Sequence, residues 1–151
     1  DHMLSEFISL KRILINIHTA SIEEAVLICG ELLVKDGCAS PEYPAAMVET
    51  VRQLGDSIVM APQTALPHAA FSKGGLVPAV SVLRLAQPLD LGGANGPVAL
   101  LLGFCGSDAE SHMKVLAALA QFFSNPAAIS SLLRAPTAEE LYRMLCQSND
   151  R

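Results

Sequence analysis

The sequence contains no tryptophan, and aromatic residues make up only 5% of its 151 positions. Half of it is nonetheless hydrophobic (51%), which excludes a disordered segment and fits an ordered α/β domain with an aliphatic core. Basic runs are also missing. The ten Lys and Arg residues are scattered and the formal net charge is −5, so a nucleic-acid partner is not expected. No apolar stretch reaches the roughly 20 residues of a membrane span, so no direct membrane insertion is expected. The N-terminus shows no charged-then-apolar signal pattern, and the expected location is the cytoplasm. One domain with a single sizeable core fits this length.

Cysteine and histidine are sparse, with four of each. Cys29, Cys38, Cys105 and Cys146 share no CxxC spacing and lie in apolar segments. That excludes a disulfide framework and a thiolate zinc site, leaving reduced thiols and no expected metal or cofactor. Asp1-His2-Met3 reads as the remnant of a cleaved tag, which removes His2 from the chemistry. His18 reads as a solvent-side residue at a strand end. His68 and His112 remain.

Along the chain, Leu4 to Leu10 forms a weak helical pattern, and Ile13-Leu-Ile-Asn-Ile17 alternates as a strand. Ser21-Ile-Glu-Glu24 is a capping box. Ile22, Val26, Cys29 and Leu33 then line one helix face, which Asp36-Gly37 ends. Ser40-Pro41 predicts a second helix start, with Tyr43, Met47, Val51 and Leu54 as its core stripe. Leu76 to Leu85 reads as a strand whose Pro78 calls for an edge or a bulge. The turn-rich stretch from Asp90 to Pro97 leads to Val98–Cys105, an unbroken apolar run expected at the centre of the sheet. Ser107 or Asp108 caps the next helix, with Met113, Leu116, Ala117, Ala120 and Phe123 as its apolar side. Two short helices follow, opened by Asn125-Pro126 and by Thr137-Ala-Glu-Glu140. The fold class expected is α/β: a single domain with a mixed, mostly five-stranded sheet and helices on both faces.

Against this frame Ala61-Pro-Gln-Thr-Ala-Leu-Pro-His68 stands out. Pro67 fixes its own φ and pushes Leu66 towards the extended region, so stiff backbone presents the imidazole. No acid, Ser, Thr or Cys lies between Pro67 and Phe71, so a partner must come from elsewhere. Ser107-Asp-Ala-Glu-Ser-His112 can supply it. Ligands collect beyond the carboxyl ends of strands in open α/β sheets, and a helix N-terminus there attracts an anion, above all phosphate. A neutral imidazole is a competent nucleophile. His68 as nucleophile, with His112 and helix N–H groups around the oxygens, would make a phosphoryl-accepting site.

The same two segments carry a resemblance. Ala61–His68, with Gly74 and Gly75 after it, resembles the active-histidine motif of mannitol/fructose-type enzyme IIA domains of the bacterial phosphoenolpyruvate-dependent sugar phosphotransferase system. It is nearest the ascorbate-specific and cryptic-mannitol branch. Leu101–His112 is similar to the family stretch that ends in its second active-site histidine. The resemblance covers residues 4–148 as one EIIA type-2 domain. It implies a cytoplasmic phosphoryl carrier that takes phosphate from phospho-HPr on His68, beside His112. It further implies transfer to a cysteine of the IIB component, coupled to a membrane IIC permease for ascorbate or a sugar alcohol. Ser107 and Asp108 are candidate phosphate contacts. Arg52 is another, because it falls where many mannitol- and fructose-type members carry an active-site Arg. Gln63 stands where the branch usually has Gly, and Ala70 where it often has Arg.

Two alternatives stay open: a regulatory IIA-like module whose phosphorylation state controls another protein, and a thiol hydrolase using Cys105 or Cys29 with a histidine. A homodimer is also left open. Phe71, Leu76, Met113 and Leu66 are the expected apolar rim for partners that reach His68 in turn.

Overall fold

The computed structural model describes residues 3–147; Asp1 and His2, assigned above to a tag remnant, lie outside the described residues, as does Ser148 at the far domain boundary. Five strands form one sheet in the order β1-β4-β5-β3-β2. They are β1 (Ile13–Ile17), β2 (Val59–Ala61), β3 (Thr64–Ala65), β4 (Ala79–Leu89) and β5 (Val98–Cys105). β5 is central and all eight of its residues are buried, as its unbroken apolar run requires. It runs antiparallel to β4 and parallel to β3, β1 is parallel to β4, and β2 closes a hairpin with β3. The sheet is therefore mixed.

The strand period of two sorts the β5 side chains between two cores. Leu101 and Cys105 face α1 (Ile22–Lys35) and α2 (Tyr43–Leu54), packing with Cys29, Leu33, Met47 and Val51. Leu100, Leu102 and Phe104 face α3 (Ala109–Phe122), α4 (Pro126–Arg134) and α5 (Ala138–Cys146), packing with Val115, Leu119, Leu132, Leu141 and Leu145. Helices thus cover both faces of the sheet.

Several local expectations shift. Leu4–Leu10 is not one helix but two 3₁₀ turns, Leu4–Glu6 and Leu10–Arg12. The segment is held by tertiary contacts: buried Arg12 donates to the Val80 carbonyl (3.1 Å) and the Phe7 carbonyl (3.0 Å) and pairs with Asp36. Ser40-Pro41 does not open α2, which starts at Tyr43 with Glu42 as N-cap. Ser40 spends its N–H on the Gly74 carbonyl (2.8 Å), with its hydroxyl 3.3 Å from the same oxygen. β4 begins at Ala79, after Pro78, because an interior strand cannot spare the missing N–H. Leu76 and Val77 instead donate to the Cys38 carbonyl, at 2.9 and 3.0 Å. The strand runs on to Leu89, with a register shift after Arg84 that accommodates Pro88. In α3 the buried residues are Val115, Ala118, Leu119 and Phe122, so the core stripe is rotated from the expected one. Met113 is 58% exposed.

Candidate active site

β3 and β5 are parallel neighbours, so the chain leaves both at the same end of the sheet. His68 follows one strand and the helix carrying His112 follows the other. The approach to His68 is set at the β2–β3 turn. Gln63 adopts φ +57° there, and its carbonyl accepts the N–H groups of Ala99 (2.9 Å) and Leu100 (3.0 Å). That left-handed conformation gives the physical reason for a glycine at this position. From the turn the parallel register runs Thr64↔Leu100 and Ala65↔Leu101. The Phe104 N–H then reaches the Pro67 carbonyl at 3.2 Å. The same offset sets His68 opposite Phe104, and their rings stack with centroids 4.5 Å apart at 24°.

His68 Nδ1 lies 2.8 Å from the Leu66 carbonyl oxygen. A carbonyl only accepts, so Nδ1 carries the proton and Nε2 keeps the lone pair. His112 sits in the first turns of α3, with its ring centroid 5.4 Å from His68 and 5.2 Å from Phe104. It lies three residues before Val115 and seven before Leu119, on the stripe that packs against the sheet. Burial, and secondarily the charge of His68, lower its pKa from the ordinary histidine value, so the neutral ring is favoured near pH 7. Its Nδ1 is buried without a hydrogen-bond partner. A stranded N–H is costlier than a stranded acceptor, which favours the tautomer with the proton on Nε2.

Two glycines allow the close approach. A Cβ on Gly75 would lie 1.7 Å from the Gly106 carbonyl oxygen, and one on Gly106 would lie 2.5 Å from His112 Cα. The loop after His68, the end of β5 and the start of α3 are therefore in backbone contact. Tyr43, fully buried on α2, closes the arrangement from below. Its hydroxyl donates to the Phe104 carbonyl (2.8 Å), has the Ala69 carbonyl within 3.1 Å, and accepts the Ala69 N–H (3.0 Å).

The remaining predicted residues are placed differently. Asp108 is the N-cap of α3 and accepts from the Ser111 N–H at 2.8 Å. The Ser107 and Asp108 N–H groups both donate to Ser111 Oγ, at 2.9 and 3.2 Å. Several donors at this helix start are thus engaged within the chain. Hydrogen bonds from Ser111 hold the Asp108 carboxyl below its usual pKa, so it stays anionic. Arg52 is exposed, 4.0 Å from Glu49, and lines a separate cleft with Ser21, Glu23 and Asp90. Thr50, two residues earlier, lines the crevice beside His68 instead. At 3.6 residues per turn those positions point in nearly opposite directions.

Around the site Leu76 and Met113 are exposed, and the Phe71 ring lies 6.5 Å from His112. Leu66 is not part of the rim, being 8% exposed, because its side chain belongs to the core on the α3 face. Sequence reasoning missed Met60, 62% exposed, and Leu54, which line the small crevice with His68 and Leu116. The thiols do not enter the site. Burial pushes both Cys29 and Cys105 up to about 12, and Cys105 Sγ lies against the Val77 (3.2 Å) and Cys38 (3.4 Å) carbonyls. Neither is a thiolate at neutral pH, which removes the basis for the thiol-hydrolase reading.

The mixed sheet thus brings two histidines together at the ends of neighbouring parallel strands of an α/β domain. Residues 6–148 match the family described as "Phosphoenolpyruvate-dependent sugar phosphotransferase system, EIIA 2", and the chain belongs to that family. It is a phosphotransferase component, a phosphoryl carrier of the sugar phosphotransferase system. Over 129 residues it is 30% identical to the ascorbate-specific PTS system EIIA component of Salmonella choleraesuis (strain SC-B67), covering 84% of each chain. The solution structure of the mannitol-specific cryptic enzyme IIA CmtB from Escherichia coli superposes with a TM-score of 0.86 at 24% identity, covering 97% of this chain and 100% of that one. The Escherichia coli complex of enzyme IIA and phosphorylated enzyme IIB for mannitol gives 0.79 at 22% identity, covering 92% and 98%. These two likenesses establish the fold. Among the described residues no single helix is long and apolar enough to cross a membrane.

Proposed function

We propose that His68 Nε2 is the phosphoryl acceptor of this carrier, taking the group from phospho-HPr and passing it to a cysteine of a IIB component. The observation that carries this reading is the 2.8 Å contact between His68 Nδ1 and the Leu66 carbonyl, which leaves the lone pair on Nε2. In the first step that lone pair attacks phosphorus, the P–N bond to the HPr histidine breaks, and the departing nitrogen keeps the electron pair. In the second the IIB thiolate attacks phosphorus, and Nε2 leaves with its pair restored. Both steps depend on alignment and charge stabilisation. The neutral His112 ring is suited to donate from Nε2 to a phosphoryl oxygen, while burial disfavours a second cation beside His68. For the Ser107 N–H to bind phosphate, Ser111 Oγ would have to release it.

The rim of Phe71, Leu76 and Met113 suits two partners that dock in turn on one apolar surface. The relatives' names, ascorbate-specific and mannitol-specific, favour ascorbate or a sugar alcohol as the transported compound; on this reading a IIC permease carries it and this component works in the cytoplasm. The test is a reconstituted relay of phosphoenolpyruvate, enzyme I, HPr, this chain and a matched IIB domain. His68→Ala should carry no label to IIB, and a relay running at the unmodified rate through that variant would overturn the proposal.

A further inference from the structure

The nucleophile needs one tautomer, and the backbone that fixes it must itself be held. On the N-terminal side of His68 the chain is tied to the sheet, with the Leu66 N–H 3.4 Å from the Ile58 carbonyl and the Pro67 carbonyl accepting Phe104 N–H. On the C-terminal side the tie is a side chain: the Tyr43 hydroxyl accepts Ala69 N–H at 3.0 Å and lies 3.1 Å from the Ala69 carbonyl. The same oxygen donates to the carbonyl of Phe104, whose ring stacks on His68. One buried hydroxyl therefore joins the residue after His68 to the residue beneath its ring.

We propose that Tyr43 is a positioning residue for phosphoryl transfer, clamping Ala69 to Phe104 so that His68 keeps its Nδ1–H···O=C Leu66 contact and presents the Nε2 lone pair. This inference rests on His68 being the acceptor. Tyr43 touches neither phosphate nor partner; it acts through the backbone on either side of the imidazole. A neutral ring released from that contact divides its proton between the two nitrogens, and molecules protonated on Nε2 cannot attack through that nitrogen. Burial pushes the Tyr43 pKa up, so the group remains a hydroxyl able to donate and accept at once.

The experiment uses Tyr43→Phe in the full chain, checked for a cooperative melt. Nitrogen-15 spectra report the tautomer of the neutral His68 ring, and HPr-dependent phosphorylation gives kcat and KM. The native protein should show Nδ1–H as the dominant form. The variant should show a mixed tautomer and a kcat lowered roughly tenfold, the scale of one lost hydrogen bond. KM for phospho-HPr should hold, because the exposed rim is untouched. A folded variant with native tautomer and native kcat overturns the inference, as does a loss confined to stability or to KM. If the variant does not fold, amide exchange on the native protein decides: Ala69 N–H should be protected like the neighbouring strand amides, and free exchange refutes the clamp. If native His68 accepts no phosphate, the acceptor assignment fails, and the tautomer spectra still report on the clamp by themselves.

Discussion

Gly106 offers the most direct test of how closely the two histidines must approach. A Cβ there would sit 2.5 Å from His112 Cα, 2.6 Å from its N and 2.8 Å from its Cβ, whereas ordinary contacts begin near 3.4 Å. All three neighbours belong to the start of a helix rather than to a flexible side-chain end, so the first turn of α3 must retreat by close to an ångström. Overpacking of this kind costs about 2 kcal/mol. For a domain of this size that is a melting-temperature loss of about 4–8 °C. The effect on transfer should be larger than the effect on stability. A misplacement of about 1 Å in a site that works by alignment costs on the order of a hundredfold in rate, and His112 moves with the turn that retreats. The assay is phosphoryl transfer through the reconstituted relay, run beside thermal melts of Gly106→Ala. Cooperative unfolding with transfer within about twofold of the native rate would refute the argument that the Gly106–His112 contact sets the site.

Removing the second imidazole should separate acceptance from delivery: His112→Ala should still label His68 but pass phosphate to IIB about a hundredfold more slowly, with His112→Gln recovering part of the loss. Because burial lowers the His112 pKa, the unfolded chain binds its proton first, so this group's contribution is intact above the unfolded value near 6.5 and is lost as pH falls below it. Thermal melts from pH 7.5 to 5 should therefore decline less steeply for His112→Gln than for the native chain. Gln63→Gly should raise stability by about 1 kcal/mol by relieving the left-handed conformation at φ +57°; an unchanged or lower melting temperature would contradict that. HPr binding should lose little affinity between low and physiological salt, because the rim is apolar, whereas a charge-driven interface would weaken as screening approaches about 8 Å.

The sheet was legible where the pattern was local and strong. The apolar run of β5 marked the central strand, and Asn125 and Thr137 marked helix starts by their capping chemistry. At Ser21 the capping oxygen was foreseen, but the Glu24 carboxylate reaches Ala20 N–H, one residue earlier than expected. What failed was governed by distant partners. Ser40 looked like a cap but is drawn into a turn by the Gly74 carbonyl, 34 residues on. The α3 stripe was read out of phase because alanines and leucines fill several faces of that helix. Read from Val115, Leu119 and Phe122, the correct phase places His112 on the sheet-facing side. Tyr43 was read as core, which it is; its hydroxyl was the overlooked signal, since a buried tyrosine O–H must find partners. Arg52 was a candidate by sequence interval, and the helix period turns it away from the crevice that holds His68.

The proposed mechanism stands or falls on the phosphoryl group residing on Nε2 of His68. It can be read directly on nitrogen-15-labelled protein after incubation with phosphoenolpyruvate, enzyme I and HPr. The expected result is an acid-labile adduct whose phosphorus couples to Nε2 of His68, with none formed on His68→Ala. An acid-stable adduct, coupling to Nδ1, or full labelling of His68→Ala would contradict it.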